Sequence, residues 1–130
     1  LPNVLLNECF DFNSTTMQRE DIEENYRFLY GDWSEITTLL NGNQTKFDLI
    51  VSAETLYSQD NYEKLSQLFS NLLREDGKIL IGSKSHYFGV GGGSFDYLDY
   101  VQEKHPQLKS DIIFEIDDSL LRHILIVEKK

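Results

Sequence analysis

The sequence predicts an α/β sandwich in which a mostly parallel sheet ends in an antiparallel hairpin. Three observations carry that prediction. Two apolar runs, "KFDLIV" and "KILIGS", flank a stretch whose apolar residues recur at helical spacing. A glycine run, Gly91-Gly92-Gly93, separates the second of these from a further helical pattern. Finally, "DIIFEI" and "LLRHILIVEKK" are joined only by Asp117-Asp118-Ser119, and a parallel return would need a longer crossover.

Residues 1–10 form a short apolar segment, and residues 11–24 are polar and acidic, as in a loop or a marginal helix. The run "YRFLYGDW" supplies an aromatic strand ending at Gly31. Ser34 is the expected N-cap of a helix carrying Ile36, Leu39 and Leu40, which Asn41-Gly42-Asn43 closes. Residues 47–51 are almost continuously apolar, which predicts a strand buried on both faces. Asp60-Asn61 precedes a helix whose apolar face is Tyr62, Leu65, Leu68, Phe69, Leu72 and Leu73, with Asp76-Gly77 as its end. "KILIGS" is a second buried strand, and Phe95, Leu98 and Val101 mark a helix that stops before Pro106.

Composition bounds the function. At 130 residues the chain allows one domain, and 40% apolar and 12% aromatic content suits a globular core. A formal net charge of −10 argues against a nucleic-acid binder, which needs clustered Lys and Arg, and fits a basic protein partner or simple solubility. Cys9 is the lone cysteine, so a disulfide framework and a cysteine metal site are not expected, and a reducing compartment is. No apolar run reaches membrane-spanning length, and no His/Asp/Glu group has metal-ligand spacing.

In parallel sheets ligands bind beyond the carboxyl ends of the strands. Those ends are Gly31-Asp32-Trp33, Ser52-Ala53-Glu54 and Ser83-Lys84-Ser85-His86, and the topology is expected to align them on one rim. Trp33 offers a stacking surface, Asp32 an acceptor and Gly31 close backbone approach, although a core Trp beside a solvated Asp gives the same pattern. Glu54 and Tyr57 can orient an amine or imidazole, or merely belong to a loop before a helix. His86 is a candidate base, since imidazole is the side chain suited to proton transfer near neutral pH, or a hydrogen-bonded bystander, whereas His105 and His123 read as structural. The glycine run fits no phosphate loop, since Gly93 is followed by Ser94-Phe95 and not by Lys-Ser/Thr.

The combination "GDW", "FDLIVSAETLY" and "GKILIGSKSHYFGVGGG" resembles the C-terminal half of the histidine protein methyltransferases. These are class I, seven-strand, S-adenosylmethionine-dependent enzymes related to protein-lysine methyltransferases. The resemblance covers almost the whole chain and implies a Rossmann-like sheet. It also implies that Gly31, Asp32 and Trp33 contact the adenine side of the cofactor, and Ser52 and Ala53 its methionine or ribose portion. Glu54, Tyr57 and His86 would then be catalytic, with Tyr87, Phe88, Gly89 and Gly91 at the mouth where a target histidine enters. The implied reaction is direct displacement by a neutral imidazole nitrogen on a sulfonium methyl, helped mainly by positioning. The implied substrate is a basic, large-subunit ribosomal protein, and the implied compartments are cytoplasm and nucleus.

The family's first strand, glycine-rich cofactor loop and second-strand acid have no counterpart here. Residues 1–130 are therefore expected to be the C-terminal portion of one methyltransferase domain, unable to methylate alone. A non-catalytic partner-binding domain with the same architecture is the competing reading, and a nucleotide-binding module a distant third.

Overall fold

The computed structural model describes residues 28–40 and 44–130. The chain divides into two units, residues 1–30 and 31–130, and all described helices and strands lie in the second. Their order is α1 (Trp33–Leu39), β1 (Phe47–Ala53), a 3-10 turn (Gln59–Asn61), α2 (Tyr62–Leu72), β2 (Leu73–Lys84), α3 (Ser94–Lys104), β3 (Leu108–Asp117) and β4 (Leu121–Lys129). The sheet runs β1-β2-β4-β3, with β1 and β2 parallel and the two pairings of β4 antiparallel. The expected α/β architecture with a terminal antiparallel hairpin is present.

Alternation along β2 and β4 places the core. Ile79 and Ile81 on β2 and Leu125 and Val127 on β4 are buried together with Leu65 and Phe69 of α2 and Tyr97 and Val101 of α3. Both helices thus cover one face of the sheet. The other face carries the intervening residues, and among them Val51, Leu49 and Phe114 stay more than half exposed.

Five local expectations change. Phe28, Leu29 and Tyr30 are exposed and form no strand; an aromatic-rich run has strand propensity, but propensity needs a paired neighbour to become a ladder. Residues 1–27, including the remainder of that proposed strand, and Asn41-Gly42-Asn43 lie outside the described residues. The N-cap of α1 is Asp32, whose carboxylate accepts from the Ser34 N–H at 2.9 Å, so Ser34 is already inside the helix.

Strand β1 is not buried on both faces. Among the described residues it occupies one edge of the sheet, flanked by β2 alone and covered by α2 on one side, and Val51 is 69% exposed. An apolar groove of about 260 Å³ runs along this edge between Phe47, Leu49 and Val51 and the α2 residues Leu68, Phe69 and Leu72.

Helix α2 ends at Leu72, and Leu73 is already extended, so β2 starts four residues before the Gly77 expected to close the helix. Gly77 serves another purpose: a Cβ there would lie 3.0 Å from the Phe47 carbonyl oxygen and 2.8 Å from Leu73 Cδ1. On α3, Phe95 is half exposed and Tyr97 takes the core position, packing edge-on against Tyr62 with ring centroids 5.1 Å apart.

Candidate functional site

The parallel pairing of β1 and β2 brings two of the three expected strand tips together. Ala53 faces Gly82 in register, and the Glu54 N–H donates to the Gly82 carbonyl at 2.9 Å. Glu54 sits at φ +56°, in the left-handed region that a side chain enters at a cost of about 1–2 kcal/mol. Such strain persists where the surroundings enforce it, and it clusters at ligand-handling sites. The Glu54 carboxylate points back toward Lys84, 3.7 Å away, and remains half exposed.

Lys84 links this carboxylate to the next segment. Its ammonium stands 5.1 Å from the centre of the Tyr87 ring. Tyr87 is buried, and burial pushes its phenol above the usual tyrosine range, with the Glu54 carboxylate acting in the same direction. The Tyr87 hydroxyl lies 3.4 Å from Ser83 Oγ. The tip is therefore a small array of carboxylate, ammonium and neutral phenol, open to solvent on the Glu54 side.

Tyr87 also begins the glycine loop. Its N–H donates to the Gly92 carbonyl at 2.8 Å, and the Gly91 N–H returns to the Tyr87 carbonyl at 3.2 Å, closing residues 87–92 into a compact loop. At its outer end Phe88 is 83% exposed, and Val90 is exposed as well. His86 is exposed and meets the Phe88 ring edge-on, with centroids 5.3 Å apart. Gly89 and Gly91 adopt φ +82° and +79°, with nothing within 4 Å of a built Cβ. Gly92 and Gly93 are pressed against the chain itself, a Cβ falling 2.3 Å from the Leu56 carbonyl oxygen and 2.2 Å from that of Ser85. Tyr57 contributes backbone to this packing, while its side chain is exposed.

The third cluster sits at the same end of the sheet but is held by another element. Asp32 Oδ2 accepts from Lys64 Nζ at 2.9 Å, in the first turn of α2. Hydrogen bonds from Lys64 and then Ser34 hold the Asp32 carboxyl far below the usual carboxylate range. Trp33 is half-buried and packs on the core, and Gly31 adopts φ +144°. Among the described residues, no hydrogen bond or ion pair connects residues 31–33 to the Glu54–Lys84 tip.

Ser52 Oγ is engaged with Thr55 Oγ1 at 2.7 Å, which braces the turn after β1. Ala53 is exposed, and a Cβ built on its partner Gly82 would meet nothing within 4 Å. Two small residues side by side thus leave open space at the tip, as a cofactor portion lying against β1 would require. Sequence reasoning passed over Gly82, and it placed Lys84 on the rim and Gly92 in the loop without assigning either a role of its own. Lys84 was detectable as the cation inside "SKSH", whereas the roles of the two glycines depend on strand register and chain crossing.

A family model described as lysine methyltransferase matches residues 6–103. A histidine protein methyltransferase 1 homolog of Bos taurus is 34% identical over 139 aligned residues, covering 96% of this chain and 37% of that protein. The homolog of the same name from Dictyostelium discoideum is 39% identical over 92 residues, covering 71% of this chain and 25% of its own length. Histidine protein methyltransferase 1 of Saccharomyces cerevisiae is 30% identical over 110 residues, or 75% of this chain and 28% of the relative. The chain thus spans well under half the length of these curated relatives. Methyltransferases of this kind in general take their methyl group from S-adenosylmethionine, and the relatives' names imply a protein substrate. The mixed α/β sheet agrees with part of a class I methyltransferase fold, and the chain belongs to the lysine methyltransferase family.

Proposed function

We propose that the full-length gene product is an S-adenosylmethionine-dependent protein-histidine N-methyltransferase, acting on a basic protein such as one of the large ribosomal subunit, in cytoplasm and nucleus. The observation that carries this reading is the strained Glu54 carboxylate beside Lys84 and Tyr87, with the closed glycine loop next to it. The names of the relatives favour histidine over lysine as the acceptor.

In this reading Gly31, Asp32 and Trp33 hold the adenine end of the cofactor, and Ser52 and Ala53 the methionine or ribose end. S-adenosylmethionine, when bound, supplies an electrophilic sulfonium methyl. Glu54 accepts the N–H of an incoming imidazole, which leaves the other ring nitrogen unprotonated with its lone pair free. Lys84, 3.7 Å away, pairs with the carboxylate and keeps it turned to the rim. His86, Tyr57 and the loop residues Tyr87, Phe88, Gly89 and Gly91 line the entrance, where Phe88 and Val90 exclude water from the bound segment. The net charge of −10 suits a cationic partner, and Asp96, Asp99 and Glu103 with Tyr62 and Tyr100 line a groove of about 370 Å³ beside the loop's downstream end.

The decisive experiment incubates the full-length product with S-adenosylmethionine and candidate basic proteins and maps methylated residues by mass spectrometry. Methylhistidine is expected. Glu54→Ala is expected to lower turnover by about tenfold or more, with cofactor affinity little changed. Methylation confined to lysine would reverse the acceptor assignment, and undiminished turnover in the variant would remove Glu54 from the chemistry.

A further inference from the structure

Level with Ser83 on β2, three side chains from three other elements form a hydrogen-bonded chain. Ser94 Oγ, at the start of α3, lies 2.5 Å from His123 Nδ1 on β4, and His123 Nε2 lies 3.2 Å from Glu115 Oε2 on β3. The types are those of a nucleophile, a base and an acid, yet burial rules out that use. Ser94 is 0% exposed and His123 1%, so no substrate can reach the hydroxyl. The Phe95 ring closes over the imidazole edge-on, with centroids 4.9 Å apart.

What the chain of bonds does follows from donor and acceptor counting. A carboxylate only accepts, so Glu115 requires a proton on His123 Nε2. When the ring is neutral, Nδ1 accepts and the Ser94 hydroxyl donates there. This commits the hydroxyl of the first α3 residue to β4. The preceding residue, Gly93, is the helix N-cap and has no side chain to cap with. Gly93 is instead held from the opposite side by Tyr62: its N–H donates to the phenolic oxygen at 2.9 Å, and that hydroxyl donates to the Gly93 carbonyl at 3.1 Å. Ser83, the register partner of His123 on β2, reaches the Tyr87 hydroxyl at the other end of the loop.

We propose that Glu115, His123 and Ser94 act as positioning residues for the proposed methyl transfer: the carboxylate fixes the imidazole tautomer, the imidazole fixes Ser94, and Ser94 fixes where the 87–92 loop ends. The inference rests on the reading of that loop as the substrate entrance. It predicts that the relay acts on the protein substrate and not on the donor.

The test is steady-state kinetics of full-length wild type, Ser94→Ala, Glu115→Ala and Glu115→Gln. Ser94→Ala and Glu115→Ala are expected to raise KM for the protein substrate about tenfold, with kcat and the KM for S-adenosylmethionine little changed. Glu115→Gln, which keeps an acceptor for Nε2–H, is expected to restore KM. A role confined to stability would instead lower the active fraction, reducing kcat at constant KM, and that result would overturn the proposal.

A second measurement needs no activity. Nitrogen-15 spectra of the wild-type imidazole, recorded with the ring neutral, are expected to show the Nε2–H tautomer of His123. In Glu115→Ala the tautomers should mix, and the Gly91 and Gly93 amides should exchange about tenfold faster. An Nδ1–H tautomer in the wild type, or unaltered glycine exchange in the variant, would refute the relay. Absence of methyl transfer by the wild type would refute the proposed function alone, leaving the spectra to decide the relay.

Discussion

Gly89 and Gly91 on one side, and Gly92 and Gly93 on the other, sit within five residues of each other and are glycines for different reasons. The first pair turns the backbone into left-handed conformations in open space. The second pair lies where the chain crosses itself, against the carbonyls of Leu56, Tyr57 and Ser85. At Gly92 and Gly93 the backbone pressed against the glycines is the chain's own. The lesson is that one run can combine a hinge-like outer part with an anchored inner part. Only the outer part, with the exposed Phe88 and Val90, is free to meet another molecule.

The sharpest way to break this comparison is a matched alanine pair. Gly93→Ala drives a Cβ into the Ser85 carbonyl at φ +156° and is expected to destabilise the fold by about 3 kcal/mol or more. Gly91→Ala meets only conformational strain, about 1–2 kcal/mol. Equal urea midpoints for the two variants would erase the distinction. Next in size, Tyr62→Phe removes the hydroxyl that grips both backbone groups of Gly93 and is expected to cost about 1–3 kcal/mol by the same titration.

Phe88→Ala sharpens the other side. The ring is largely in water, so stability is expected to move by no more than about 0.5 kcal/mol, while affinity for a peptide substrate falls. Calorimetry with peptide measures both outcomes. Smallest is the pH effect at Asp32. Its folded pKa is depressed, so its contribution to stability is full above the ordinary aspartate range and declines as pH falls below it. Asp32→Asn keeps a capping side chain but is expected to flatten that part of the decline. Urea midpoints at about pH 5 and about pH 3 would differ less in the variant than in the wild type.

The order of strands and helices from residue 33 onward was legible because each element has its own period. The apolar faces of α2 and β2 meet at Leu72-Leu73, however, and an apolar residue fits either period, so their boundary was not. The exposure of β1 was equally hidden. A run such as "FDLIV" records apolarity, not how many neighbours a strand has. Asp32 and Ser34 are both good capping residues two positions apart, and only the backbone angle at Asp32 decides between them. At the candidate site, Glu54 could be named from its place after β1. Its left-handed backbone and its pairing with Lys84 arise from tertiary contacts that no local pattern encodes. His123 reads as structural in the sequence, and its two partners come from segments 29 residues upstream and 8 residues upstream, beyond any short motif.

The backbone at Glu54 also carries an evolutionary consequence. A conformation that disfavours every residue with a Cβ, and tolerates glycine and asparagine best, makes position 54 a standing invitation to drift. In a lineage freed from selection on its chemistry, glycine would be the first neutral replacement. A glutamate retained there across diverged copies of the gene would therefore record continuing use, and a glycine its retirement.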